Sequence, residues 1–346
     1  MMYKTVAVVL IAILTVLLMI NYMPGTEEDE ASTGQIYSIT RSMMDTTVTV
    51  SVLSSNETQA QASIEKAFER IEYVDKLMNN YDNNSELSIL NEQGHISDAN
   101  PDLVYVINRS EYYSENSQGA FDISILPILD LWKSKFSPGG TYEAPTPEEI
   151  NETLELVNYS AIQTENNNIT IDEGMMITLG GVAKGYAVDL AVESLIVDGI
   201  EAGFVNAGGD GRYIGHKEDG TPWKIGLQNP DRTGEAVVVM DIEDMAVATS
   251  GNYERYFNDA AKVSHISDPR TGYPSQSLIS VTVIAKSAMD ADAFATAVFV
   301  MGEEDGLQMI EKLDGVECLI ITSDKRIVRS SGFAAYESTS DDSVQE

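Results

Sequence analysis

Asp292 and Thr296 stand four residues apart in Asp290-Ala-Asp-Ala-Phe-Ala-Thr296, a stretch predicted to be helical, so a carboxylate and a hydroxyl share one helix face. Hard oxygen donors in that arrangement suit Mg²⁺, which keeps several waters and binds substrate phosphates alongside one or two carboxylates. Ser287 and Asp290 have the spacing of a capping box, and a satisfied Asp at a helix N-terminus is the other reading of the segment. A second constellation, Thr178-Leu-Gly-Gly-Val-Ala-Lys-Gly-Tyr-Ala-Val-Asp189, leads from a predicted strand through paired glycines into a helix. The glycines let a ligand approach the backbone, the helix start offers unpaired N–H groups and Lys184 adds a positive charge, which together make an anion cradle. The segment is neither Gly-x-Gly-x-x-Gly nor a P-loop, and tight strand-to-helix packing explains the glycines equally well. Third, His265-Ile-Ser-Asp-Pro-Arg-Thr-Gly-Tyr-Pro274 is turn-rich and holds one imidazole, able to deprotonate an attacking hydroxyl or simply to hydrogen-bond at the surface. The chain's other histidines are His95 and His216, too few for a His-rich metal site.

Charge narrows the partners. With 55 Asp and Glu against 21 Lys and Arg, a net charge of −34 repels nucleic acid and anionic headgroups, so a nucleic-acid partner is excluded. The same field repels an anionic nucleotide, which would need a local cation or converging N–H groups to bind, and a divalent metal meets that need. The one cysteine, Cys318, rules out an internal disulfide framework and a Cys-based zinc cage. Its apolar run, Glu317-Cys-Leu-Ile-Ile321, reads as a buried strand.

Lys4 precedes sixteen uncharged residues, Thr5 to Ile20, followed by Asn21 to Thr26 and the acidic Glu27 to Glu30. Residues 1–25 therefore read as a signal peptide or N-terminal membrane anchor, close to the roughly 17 to 25 residues that span a bilayer. An uncleaved anchor is favoured, and the charge asymmetry puts the main body outside the cytoplasm. Residues 26–36 follow as a linker, 37–335 as the folded body and 336–346 as an acidic tail.

Within the body, Thr46 to Leu53 alternates as a strand, and Ala60 to Tyr81 carries Ile64, Phe68, Ile71, Val74 and Met78 at helical spacing. Further strands are predicted at 169–171, 176–179, 203–207, 223–227, 236–240 and 279–285, with helices at 184–197, 289–301 and 303–313. Pairing of 169–171 with 176–179 across Asp172-Glu-Gly174 reads as a hairpin, so the class expected is α+β with largely antiparallel sheet.

Taken in order, Ser85-Glu-Leu-Ser-Ile-Leu-Asn91, Gly119-Ala-Phe-Asp122, Gly181 to Asp189, Gly208-Gly-Asp210, Thr249-Ser-Gly251, His265 to Gly272 and Asp292 to Ala297 resemble the signatures of the ApbE family of FAD:protein FMN transferases. The resemblance runs over roughly residues 37 to 333 and implies two intimately packed α/β lobes. It implies that Asp292, Thr296 and the carbonyl of Gly181 hold Mg²⁺ against the FAD pyrophosphate. FAD contacts are implied at Met44, Tyr81, Ala120, Phe121, Asp122, Lys184 and Ile266, with Tyr81 and Phe121 able to stack an isoalloxazine or adenine ring. His265 becomes the candidate base beside the acceptor. The implied reaction has a Thr or Ser hydroxyl of a target protein, a subunit of a membrane redox complex, attacking the FMN phosphorus of FAD while AMP leaves. Two positions depart from the family pattern: Thr178 stands where Asp is usual and offers a hydroxyl in its place, and Asp45 follows Met44 where Gly is usual. FAD hydrolysis in the same site, and FAD binding without catalysis, are the competing readings.

Overall fold

The computed structural model describes residues 34–230, 234–252, 256–258, 263–264 and 266–339; the predicted leader, linker residues 26–33, His265 and most of the acidic tail lie outside the described residues. Strands Gln35–Met43 (β1) and Thr46–Ser54 (β2) pair antiparallel across Met44 and Asp45, whose φ values of 49° and 56° are the two positive angles that a tight two-residue hairpin turn requires. Val48, Val50 and Val52 alternate along β2 and are fully buried. A helical excursion follows: Glu57–Met78 (α1), Glu86–Gln93 (α2), His95–Ile96 (β3), Pro101–Asn116 (α3), Leu126–Phe136 (α4), Pro147–Leu154 (α5), and the short strands Gln163–Glu165 (β4) and Asn168–Thr170 (β5). Ala183–Val197 (α6) then leads back to Gly203–Ala207 (β6) and Asp210–Ile214 (β7). After the hairpin Trp223–Gln228 (β8) and Ala236–Ile242 (β9) come Ala246–Gly251 (β10), the short pair Tyr256–Asn258 (β11) and Val263–Ser264 (β12), and Leu278–Ala285 (β13). Ala288–Met301 (α7), Glu303–Ile310 (α8), Glu317–Thr322 (β14) and Ile327–Arg329 (β15) complete the order.

Eight of these strands form one sheet in the order β1-β2-β6-β7-β10-β13-β14-β15, every neighbour antiparallel. Side chains alternate between its faces, so Ala246, Ala248, Val283 and Cys318 join the main core with α1, α6 and α7, while Val247, Ile284, Leu319 and Ile321 pack with Trp223, Leu227, Met240 and Ile242 of the β8–β9 hairpin. The expected α+β class with largely antiparallel sheet is the one found. Helix α7 is buried from Ala288 to Val300 except at Asp290 and Thr296, which is why its sequence is apolar nearly all round.

The predicted pairing of 169–171 with 176–179 is not what the chain does. β5 pairs instead with β4, across Asn166 and Asn167 in left-handed conformation, and with β3. Met176 to Leu179 belongs to no strand. The Asn91 side chain takes the place of a strand there, its Oδ1 accepting the Ile177 N–H (2.7 Å) and its Nδ2 donating to the Ile177 carbonyl (2.8 Å). The Thr178 N–H donates to the carbonyl of Ile123 (2.7 Å), so the backbone is satisfied without a ladder.

Cys318 sits in β14 with no exposed surface, and burial beside Glu317 pushes its thiol up to about 12. Native protein at pH 8 is therefore expected to resist a thiol-alkylating reagent for hours and to take up one equivalent at once in denaturant. Rapid labelling of the native chain would show that β14 is not the covered strand described.

Candidate active site

Helix α7, which carries Asp292 and Thr296, is fixed at its N-terminal end by α6. Gly185 and Asp189 lie four apart on α6 and share the face toward α7. The Asp189 carboxylate accepts the N–H groups of Ala288 and Met289, both at 2.9 Å, and an Arg212 Nη1 hydrogen bond at 2.9 Å. It thus satisfies orphan donors at the start of α7 from another helix. Ser287 caps from within, its Oγ accepting the Asp290 N–H (3.0 Å). The Asp290 carboxylate does not close the capping box; it accepts from Arg109 Nη2 (2.8 Å) and from the Tyr113 hydroxyl (2.5 Å), tying α7 to α3. At Gly185 the helices touch: a Cβ there would lie 2.3 Å from the Ala288 carbonyl oxygen and 2.8 Å from the Met289 Cα. That contact lets the Gly185 N–H donate to Asp292 Oδ2 (3.0 Å).

Asp292 is 6% exposed. Burial pushes its carboxyl up to about 7, with Asp210 and Asp189 adding to the rise while Lys184 and the Gly185 N–H oppose it. Thr296 Oγ1 lies 3.2 Å from Ser250 Oγ, and a Cβ on Gly181 would meet Thr296 Oγ1 at 3.4 Å and Phe121 Cε2 at 3.2 Å, so Gly181 abuts the hydroxyl. Among the described residues no three His, Cys, Asp or Glu side chains converge as a metal cage. The donors that do converge are the Asp292 carboxylate, the Thr296 hydroxyl with Ser250 Oγ beside it, and the backbone at Gly181. That hard, sparse set fits Mg²⁺, which leaves most positions to water and phosphate, and a cation there would offset the charge of a carboxylate that burial otherwise holds toward its neutral form.

These groups lie along a cleft of about 730 Å³, within the usual range of roughly 300–1,000 Å³ for small-molecule sites. Met44, Tyr81, Ala120, Phe121, Asp122, Thr178, Gly181, Lys184, Ile266, Asp292 and Thr296 all line it, so every described residue of the predicted site is brought together; His265 lies outside the described residues. Their roles differ. Tyr81 is 70% exposed at the mouth, with Lys133 Nζ 4.7 Å from its ring centroid. Phe121 is buried and held edge-on by Tyr113, ring centroids 5.7 Å apart. The Asp122 carboxylate turns into the fold, accepting from Ser124 N (2.7 Å), Ser124 Oγ (2.6 Å) and Tyr159 N (3.0 Å), and so shapes the loop that presents Phe121. Thr178 donates to Asn80 Oδ1 (3.2 Å) and accepts the Gly180 N–H (3.2 Å), bridging the end of α1 to the glycine turn. Ser250, inside the Thr249-Ser-Gly251 segment but given no role there, also lines the cleft, as does Lys133 of α4, which nothing in the sequence singles out. A lone polar residue in an ordinary helix or strand carries no periodic or motif signal.

The ApbE family's sequence profile matches residues 44–320. The FAD:protein FMN transferase of Haemophilus influenzae is 32% identical over 317 residues, covering 87% of this chain and 90% of that protein. That of Vibrio cholerae is 33% identical over 279 residues, covering 78% of this chain and 80% of that one. Among solved structures, the ApbE protein of Thermotoga maritima superposes with a TM-score of 0.80 at 33% identity, over 88% of this chain and 100% of its own. The flavin transferase ApbE of Vibrio cholerae gives 0.74 at 29% identity, over 88% and 99%.

Proposed function

Because this chain belongs to the ApbE family, we propose that it is an FAD:protein FMN transferase, which binds FAD in the cleft and moves its FMN half onto a Thr or Ser hydroxyl of an acceptor protein. The observation that carries this reading is the convergence of all the described site residues on one cleft whose volume suits a dinucleotide. In the reaction, the acceptor oxygen bonds to the FMN phosphorus, the bond from that phosphorus to the bridging oxygen breaks, and AMP leaves with that oxygen. The hydroxyl proton passes to a base, for which His265 is the candidate. Asp292, Thr296 and the Gly181 carbonyl would hold Mg²⁺, which when bound neutralises charge gathering on the pyrophosphate oxygens. Lys184 adds a second positive charge to the same wall, and the N-terminus of α6 beside it supplies partial positive charge.

The acceptor is proposed to be a subunit of a membrane redox complex, met outside the cytoplasm, where the leader's charge asymmetry would put the body of the enzyme. Among the described residues no helix is long and apolar enough to cross a membrane. The test is to incubate purified protein with FAD, Mg²⁺ and a Thr-bearing peptide from such a subunit. The expected result is a mass gain of one FMN on the peptide with equimolar AMP, both lost on adding a chelator. Free FMN and AMP with an unmodified peptide would assign FAD hydrolysis instead, and intact FAD that co-purifies would assign a flavin-binding protein.

A further inference from the structure

Asp210 is a second buried carboxylate at this site, and the reaction as proposed makes no use of it. It sits on β7 at 1% exposure, behind the cleft wall. Its Oδ1 accepts the Thr249 N–H (3.1 Å), while Oδ2, which receives no well-aligned hydrogen bond, lies against the Lys184 ammonium. Lys184 immediately precedes Gly185, whose N–H holds Asp292. The Lys184 ammonium thus pairs with one buried carboxylate and acts on the other, and Lys184 and Asp210 act on Asp292 with opposite signs. The Lys184 side chain is 28% exposed, and a partly desolvated ammonium that loses one anionic partner is drawn to the next carboxylate in reach.

We propose that Asp210 is a positioning residue that holds Lys184 away from Asp292, keeping the Asp292 carboxylate open to a divalent cation and the ammonium directed at the substrate's pyrophosphate. This rests on the reading of the cleft as a magnesium-dependent FAD site. It also explains the charge balance: two carboxylates and one ammonium leave one net negative charge for the cation, whereas a Lys184–Asp292 pair would leave none at the ligand position.

The test reads metal binding directly, by electron paramagnetic resonance titration with Mn²⁺ in the absence of FAD and acceptor. Asp210→Asn keeps the size of the side chain and an oxygen for the Thr249 N–H, and its fold is checked by circular dichroism. It is expected to weaken Mn²⁺ binding about tenfold or more, the scale seen when groups behind a metal ligand are altered. Adding Lys184→Met to that variant is expected to restore Mn²⁺ affinity to within about threefold of wild type, while FAD binding stays as weak as in Lys184→Met alone. Unchanged Mn²⁺ affinity in Asp210→Asn, or an equal loss in the double variant, would overturn the proposal and leave Asp210 a purely structural residue. Should Asp210→Asn not fold, Lys184→Met decides, since the proposal requires it to retain Mn²⁺ and a loss there overturns it. A wild type that binds Mn²⁺ but transfers no FMN sinks the transferase reading and leaves this test standing; a wild type without a Mn²⁺ site overturns both.

Discussion

Asp292→Ala is expected to lower AMP release from FAD by roughly a thousandfold or more, since a bound metal is worth several kcal/mol of transition-state charge stabilisation and each 1.36 kcal/mol is tenfold. Asp292 is the only carboxylate among the three groups proposed to hold the cation, and the hydroxyl of Thr296 and a backbone carbonyl are weak donors without it. Raising Mg²⁺ should not rescue the variant, and retained magnesium-dependent turnover would remove Asp292 from the site. Stability should move the other way. The folded carboxyl titrates near 7, above its unfolded value of about 3.9. Its contribution to stability is therefore whole below the unfolded value and is lost as pH rises through about 7. Asp292→Asn keeps an acceptor for the Gly185 N–H and removes that loss. Without metal, this variant is expected to melt higher than wild type at pH 8, with the gap closing toward pH 5. A thermal melt across that window checks the sign, and a gap that widens at low pH would contradict it. The proposed function would thus rest on a charge without which the folded chain is expected to be more stable.

Gly185→Ala should be severely damaging although it lies outside the cleft lining. The added carbon would meet backbone atoms alone, at 2.3 Å from the Ala288 oxygen and 2.6 Å from its carbonyl carbon, so no side chain can give way. Helix α7 must withdraw by about 1 Å to reach ordinary contact distance, at a cost of about 3 kcal/mol, the upper end for overpacking. Withdrawal also stretches the Gly185–Asp292 hydrogen bond and the two from Ala288 and Met289 to Asp189. A misplacement of this size costs roughly a hundredfold in rate even when the fold survives. Thermal melts with steady-state kinetics on the same preparation separate the two losses. A variant with wild-type melting and turnover would mean that α6 and α7 do not meet as closely as described.

Much of the fold could be read from local pattern. The strand at 203–207 falls where its alternation places it, and the helices near 184–197 and 289–301 are found where apolar runs too long for a strand place them, both being buried over most of their surface. Pro101–Asn116 is harder to read: the second half of its buried face is Ser110, Tyr113 and Ser114, and serines that bond back to their own helix leave no apolar stripe. β1 is an edge strand with no buried position, its Tyr37, Ile39 and Met43 half-buried and its Ile36 exposed, so apolar and polar residues do not alternate cleanly there. The site was legible as a set of segments but not as a mechanism of support. Asn91 replaces a strand for a partner 86 residues away, and Asp189 caps a helix that begins 99 residues later. Such bonds join a side chain to a distant backbone and leave no spacing to detect. The two departures read differently in place: Asp45 occupies a left-handed turn position that short polar side chains tolerate, and Thr178 joins Asn80 to the glycine turn.

The eight strands of the main sheet join one another in the order in which they occur along the chain. Such a sheet can be laid down by growth at one edge, each new strand finding its partner already formed. The cleft cannot be built that way, because Met44 and Asp45 come from its first hairpin while Asp292 and Thr296 come from a helix some 250 residues later. Much of the sheet could thus assemble before any ligand site exists, and the slow closure of so long a loop delays the site further. On the proposed reading, flavin and metal would stabilise only the finished molecule by mass action, and their binding would double as a check that folding has run to completion.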